Sequence, residues 1–124
     1  IQDSNPIRGS ICRAARDIAH QVGARAIIVE SATGKVARAM VHFRPDVPII
    51  AVVTSSLVCK KLCLNWGITA LIGEEKKTSD AITKQAMEKA LSTGYFKKGD
   101  IVVVISSNRT APTSSTDSLN VRIL

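Results

Sequence analysis

Apolar residues along this chain occur either at helical spacing or in short continuous blocks. Helical spacing from Ile7 to Val22 predicts a first helix, which Gly23 ends. Continuous aliphatic blocks predict buried strands at Ala26–Val29, Ile49–Val53 and Ile101–Ile105, and a further short strand is predicted at Ile68–Ile72. Further helices are predicted at Gly34–Phe43, from a cap at Ser55 or Ser56 to about Asn65, and from a cap at Thr78 or Ser79 to Gly94.

The inward side of each helix can be predicted from the same spacing. In the third helix we expect Leu57, Val58, Leu62 and Cys63 to face the core. The fourth helix is expected to bury Ile82, Ala86, Ala90 and Leu91.

The order of these elements predicts the fold. Because helices and strands alternate almost strictly, we expect an α/β, three-layer α/β/α sandwich with an about five-stranded, mostly parallel sheet. The last strand, Leu119–Leu124, follows a polar loop, Ser106–Ser118, without an intervening helix, so we expect it to be antiparallel. Residues 7–124 are assigned to this one domain and residues 1–6 to a linker or disordered end. A start at Ile1 instead of Met suggests a fragment or a processed product.

Composition narrows the class of protein. Hydrophobic residues make up 45% of the chain and aromatic residues only 3%, so the core must be aliphatic. The net charge of +7 comes from scattered lysines without aromatic residues between them, and this argues against a nucleic-acid-binding surface. No apolar run approaches the roughly 20 residues that span a bilayer, and no signal-peptide pattern is present. We expect no membrane association.

Cys12, Cys59 and Cys63 form an odd and sparse set that fits a reducing cytoplasm. The spacing of Cys59 and Cys63 is compatible with a metal site, but only His20 and His42 are available as imidazole partners. We therefore expect three reduced, metal-free cysteines that act as small buried hydrophobic residues. The sequence contains no nucleophile–base pair and no paired carboxylates that would indicate catalysis.

The clearest candidate for function is the polar loop Ser31–Lys35, between the first strand and the second helix. At this junction the first backbone N–H groups of the helix have no intrahelical partner, and the helix dipole presents its positive end. The hydroxyls, the glycine and the lysine of the loop could then surround a phosphate group. The other interpretation is an ordinary capped helix start. The spacing of a P-loop is absent.

The chain resembles the C-terminal domain of pyruvate kinase. The resemblance covers residues 8–124 and rests on motifs in a fixed order, namely ICRAARDIA, AIIVESATGKVAR, FRPDVPIIAVV, LNWGI, AITKQAMEKALSTG, YFKKGDIVVVI and TDSLNVRIL. It implies a regulatory and assembly domain of an enzyme that converts phosphoenolpyruvate and ADP to pyruvate and ATP. It also implies a cytoplasmic homotetramer whose Mg²⁺ and K⁺ are bound in a separate barrel, with no cofactor in this domain.

The resemblance also implies an effector site, commonly for a sugar bisphosphate. Its phosphate loop corresponds to Ser31, Ala32, Thr33, Gly34, Lys35 and Val36, and its flap to Arg109–Asp117, with Arg109, Thr113, Ser114, Ser115 and Thr116 as candidate contacts. Val36 stands where relatives often carry a hydroxyl, and Ile82 where some carry an arginine for the second phosphate. Pro112, Ser114 and Ser115 replace the usual flap glycines, so the identity of the effector stays open.

Two other functions remain. One is a stand-alone domain that binds a small phosphorylated ligand without any barrel, and the other is a nucleotide-dependent α/β enzyme. A barrel encoded upstream in the parent gene would favour the regulatory domain over the stand-alone domain. Turnover by the chain itself would indicate the nucleotide-dependent enzyme.

Overall fold

A computed structural model describes residues 6–31, 34–65, 67–74, 78–108 and 115–124. Four helices and five strands alternate along the chain up to the final pair of strands. They are α1 (Pro6–Val22), β1 (Ala26–Glu30), α2 (Lys35–His42), β2 (Ile49–Val53), α3 (Ser56–Leu62), β3 (Ile68–Ile72), α4 (Ser79–Ser92), β4 (Ile101–Asn108) and β5 (Ser115–Ile123). No helix of the described ranges is long and apolar enough to cross a membrane.

The five strands form one mixed sheet in the order β3-β2-β1-β4-β5. The first four strands in this order are parallel, and β5 is antiparallel to β4. This confirms the predicted fold class and the antiparallel last strand. After β1 the chain moves outward through β2 and β3, and α4 then carries it back to β4 on the other side of β1. The strand order therefore reverses between β1 and β4, and in such sheets ligands bind beyond the carboxyl ends at this point.

Two apolar cores lie on opposite faces of the sheet. The larger one packs side chains of α1, α2 and α3, including Cys12, Met40 and Leu62, against alternate strand residues. The smaller one packs Ala86 and Ala90 of α4 against the other alternate residues. Burial on both faces explains why β2 is a continuous apolar run and β1 is apolar up to Glu30, with no exposed position in either strand.

Local capping and turn contacts match the expected helix and strand limits. The hydroxyl of Ser55 accepts a hydrogen bond from the Val58 N–H at 3.3 Å, and that of Thr78 accepts one from the Ala81 N–H at 3.1 Å. The Asp100 carboxylate accepts one from the Lys97 N–H at 3.0 Å, which closes the turn before β4.

Two predictions for α3 are wrong. Leu57 is 61% exposed and Cys63 is also exposed, whereas Leu62 is fully buried. The helix has only seven residues, and its inward face is too narrow for all four predicted side chains. In α4, Ile82, Ala86 and Ala90 are buried as predicted, but Leu91 is only half-buried.

The predicted loop Ser106–Ser118 is shorter than expected. Strand β4 continues to Asn108 and β5 begins at Ser115, with Ser107 opposite Thr116. The two strands pair through their backbones, so polar side chains do not prevent them from continuing the ladder.

Candidate functional site

The candidate phosphate loop leaves the sheet at the point where the strand order reverses. Ser31 directly follows β1, and its N–H donates a hydrogen bond to the Val52 carbonyl of β2 at 3.2 Å. On the other side, Val29 of β1 lies opposite Ile105 of β4, and β4 continues past this point to Asn108. The loop therefore starts between β2 and β4, near the carboxyl end of β2.

Ser31 closes the loop with its side chain. Its Oγ accepts a hydrogen bond from the Gly34 N–H at 3.0 Å, and the residue is 4% exposed. A hydroxyl can donate as well as accept, but the lone pair used here holds the loop shape. Ser31 therefore positions the start of α2, as the alternative interpretation of a capped helix start would require. Ala32 and Thr33, the next two predicted contacts, lie outside the described residues.

Gly34 is the N-cap of α2 and has a left-handed backbone, with φ 79° and ψ 1°. Residues with a Cβ rarely adopt this conformation, whereas glycine does so readily. A Cβ placed on Gly34 would lie 3.1 Å from Leu62 Cδ2 and 3.2 Å from Val58 Cγ1. Gly34 thus allows both the turn into α2 and the close packing of α3 against the loop.

The first turn of α2 presents positive charge. Its first intrahelical hydrogen bond runs from the Arg38 N–H to the Gly34 carbonyl at 3.1 Å, so the amides before Arg38 are directed out of the helix end. Lys35 is exposed, and the first turn of α2 contains no acidic residue that would oppose the positive end of the helix dipole. An anion beyond this helix start would therefore be stabilised.

Val36 and Ile82, at the two predicted departures from the family pattern, belong to the cores. Val36 is 5% exposed and Ile82 is 3% exposed. Neither side chain is therefore available to a ligand in solvent. Of the predicted flap, Ser115 and Thr116 lie in β5, and residues 109–114 lie outside the description.

Glu30 is a charged residue near the loop that the sequence analysis missed. It ends β1 and is only 1% exposed. Side chains alternate along a strand, so Glu30 lies on the same face of the sheet as Ile28, toward α4. The only sequence signal was an acidic residue at the end of an apolar run. Its side chain therefore lies on the opposite face of the sheet from α2, although Glu30 directly precedes the loop in sequence.

The remaining candidate residues are dispersed. Cys12 is fully buried, as expected, while Cys59 is half-buried. His20 is exposed and contacts the Asp46 carboxylate through Nδ1 at 3.0 Å. Within the part of the chain that the structure describes, no three His, Cys, Asp or Glu residues lie together in a way that could hold a metal ion.

Comparisons with known proteins agree on one family. The family model described as "Pyruvate kinase, alpha/beta domain" matches residues 9–122. Pyruvate kinase of Clostridium acetobutylicum is 36% identical over 121 residues, which are 98% of this chain and 25% of that protein. Pyruvate kinase of Bacillus licheniformis is 31% identical over 83% of this chain and 18% of its own length. The chain therefore spans about a quarter or less of these relatives.

A solved structure shows the same fold. Cryptosporidium parvum pyruvate kinase in complex with ADP matches with a TM-score of 0.83 at 22% sequence identity. The match covers 99% of this chain and 25% of that one. It supports the five-stranded mixed sheet and the four helices described above.

Proposed function

Because this chain belongs to the pyruvate kinase alpha/beta domain family, we propose that it is the regulatory and subunit-assembly domain of a pyruvate kinase. The parent enzyme would transfer phosphate from phosphoenolpyruvate to ADP in glycolysis, in the cytoplasm. The Mg²⁺, K⁺ and nucleotide of that reaction would be bound by a barrel domain outside this chain. The short span of the match supports this division, since the chain covers 25% of the Clostridium acetobutylicum relative.

The effector site that we propose is the Ser31–Lys35 loop with the start of α2. The observation that carries this proposal is its place at the carboxyl end of β1, where the strand order reverses between β1 and β4. The exposed Lys35 and the helix dipole add positive charge, while Ser31 holds the loop closed. An effector of this kind acts only by binding two states of the assembled enzyme with different affinity.

The expected ligand is a sugar phosphate held mainly through one phosphate group. Val36 and Ile82 are buried aliphatic residues, so neither a hydroxyl nor a guanidinium is offered at these positions. A charge-assisted hydrogen bond contributes about 1.5–3 kcal/mol. The second phosphate of a bisphosphate should therefore add little affinity compared with relatives that carry the arginine.

The assembly role is supported by the outer edge of β5. Val121 is 46% exposed and Ile123 is 66% exposed, and both lie on one face of this last strand of the sheet. Exposed apolar residues on a sheet edge favour contact with another chain. A homo-oligomer of the parent enzyme would cover them.

The first test measures ligand binding by calorimetry, with fructose 1,6-bisphosphate and inorganic phosphate as probes. Thr33→Ala combined with Lys35→Ala should weaken binding at least about tenfold, because it removes a hydroxyl and a cation from the loop. Lys98→Ala, which removes an equal charge from the exposed turn before β4, should leave binding unchanged. Binding that survives the double substitution would place the site elsewhere.

The second test is the activity of the chain itself. A coupled assay with phosphoenolpyruvate, ADP, Mg²⁺ and K⁺ should detect no turnover, because the proposed barrel that would bring the substrates and metal ions together lies outside this chain. Turnover that depends on both substrates would reject the non-catalytic role and would favour a nucleotide-dependent enzyme.

A further inference from the structure

The C-terminal end of α3 carries two thiols side by side. Cys59 and Cys63 are one helical turn apart, and the Cys63 N–H donates to the Cys59 carbonyl at 3.0 Å, so the helical register holds up to Cys63. Residues with this spacing place their Cβ atoms about 5–6 Å apart. The pair is therefore a preassembled dithiol.

The two thiols have different surroundings. Cys63 is exposed, whereas Cys59 is half-buried and its Sγ donates to the Ala70 carbonyl of β3 at 3.6 Å. Burial, and to a smaller extent the charge and hydrogen bond of Cys63, raises the pKa of the Cys59 thiol. An oxidant from solvent therefore meets the exposed Cys63 before the half-buried Cys59.

We propose that Cys59 and Cys63 form a peroxide-sensitive dithiol that closes to a disulfide within α3. The Cys63 thiolate attacks hydrogen peroxide, so that an S–O bond forms, the O–O bond breaks and the hydroxide released takes up a proton to become water. The Cys59 sulfur then loses its proton and attacks the Cys63 sulfenic acid, and the S–O bond breaks to release a second water. In total, two thiols lose two electrons and one peroxide becomes two waters.

Closure of this disulfide must change the last turn of α3. A disulfide brings two Cβ atoms to about 3.5–4.5 Å, closer than a regular helical turn allows. Leu62 lies in this turn, is fully buried, and packs against Gly34 at the start of α2. Oxidation at α3 is therefore expected to move Leu62 against the Ser31–Lys35 loop. The chemistry at the thiols does not depend on whether that loop binds an effector.

The test treats the full chain with hydrogen peroxide and maps the thiols by mass spectrometry after alkylation under denaturing conditions. We expect the peptide containing both residues to lose two hydrogens and to regain them with dithiothreitol, while the buried Cys12 is alkylated as a free thiol. Cys59→Ser should stop at a sulfenic acid on Cys63 that dimedone traps. Cys63→Ser should leave Cys59 reduced.

Two results would overturn the proposal. One is a sulfinic acid on Cys63 in the unsubstituted chain while Cys59 stays reduced, and the other is a disulfide between Cys63 residues of two copies. The coupling to the loop is read from the amide resonance of Gly34. That resonance should shift on oxidation of the unsubstituted chain but not of Cys59→Ser, and a disulfide that leaves it unmoved would contradict the coupling.

Discussion

Replacing Leu62 by alanine is expected to lower the free energy of unfolding by about 2–5 kcal/mol. Leu62 is fully buried in the larger core and, with Val58, is one of the two α3 side chains next to Gly34. Its removal loses buried apolar surface and leaves a cavity that the surrounding structure fills only in part. Because a domain of this size has about 5–15 kcal/mol of stability in total, the loss is large.

Leu64→Ala is the matched control for this substitution. Leu64 is the same residue type two positions later and is 88% exposed, so its removal should change stability by less than about 0.5 kcal/mol. Urea unfolding followed by circular dichroism measures both variants against the unsubstituted chain. Equal losses at the two positions would show that Leu62 does not anchor α3.

The strands could be predicted because their pattern depends on local sequence. The strands β2 and β3 have the predicted bounds, although β3 is only half-buried, and β1 differs by one residue, Glu30. A run buried on both faces needs no alternation of polar residues, so it is recognised without knowledge of the partners. The buried face of the short helix α3 could not be predicted in this way. Leu57 and Leu62 are equally apolar, and only their packing in the fold decides that Leu62 is buried and Leu57 exposed.

The candidate loop was located correctly at the junction of β1 and α2, but its internal contacts were not predictable. The role of Ser31 depends on a hydrogen bond to Gly34 that forms only in one loop conformation. The packing of Leu62 on Gly34 joins two helices that are separated by a strand in sequence. Periodicity reports which side chains are buried and not which residues they meet, so the link between α3 and the loop required the structure.

Gly34→Ala is expected to destabilise the chain by about 2–5 kcal/mol through two separate effects. A left-handed backbone costs a residue with a Cβ about 1–2 kcal/mol. The added methyl would also lie 3.1 Å from Leu62 Cδ2, and crowding of this kind costs about 1–3 kcal/mol. Gly94→Ala separates the two effects, because Gly94 has the same φ of 79° and a Cβ there meets nothing within 4 Å.

The control should therefore lose only the backbone part, about 1–2 kcal/mol. In a chain that already carries Leu62→Ala, the methyl at position 34 enters the space left by the leucine, and Gly34→Ala should cost less than it does alone. A double-mutant cycle by urea unfolding measures this coupling, which is expected at about 0.5–3 kcal/mol. If Gly34→Ala and Gly94→Ala cost the same, and Leu62→Ala relieves neither, the contact between α3 and the loop carries no energy. The loop would then move independently of α3, and oxidation of the dithiol could not reach it through Leu62.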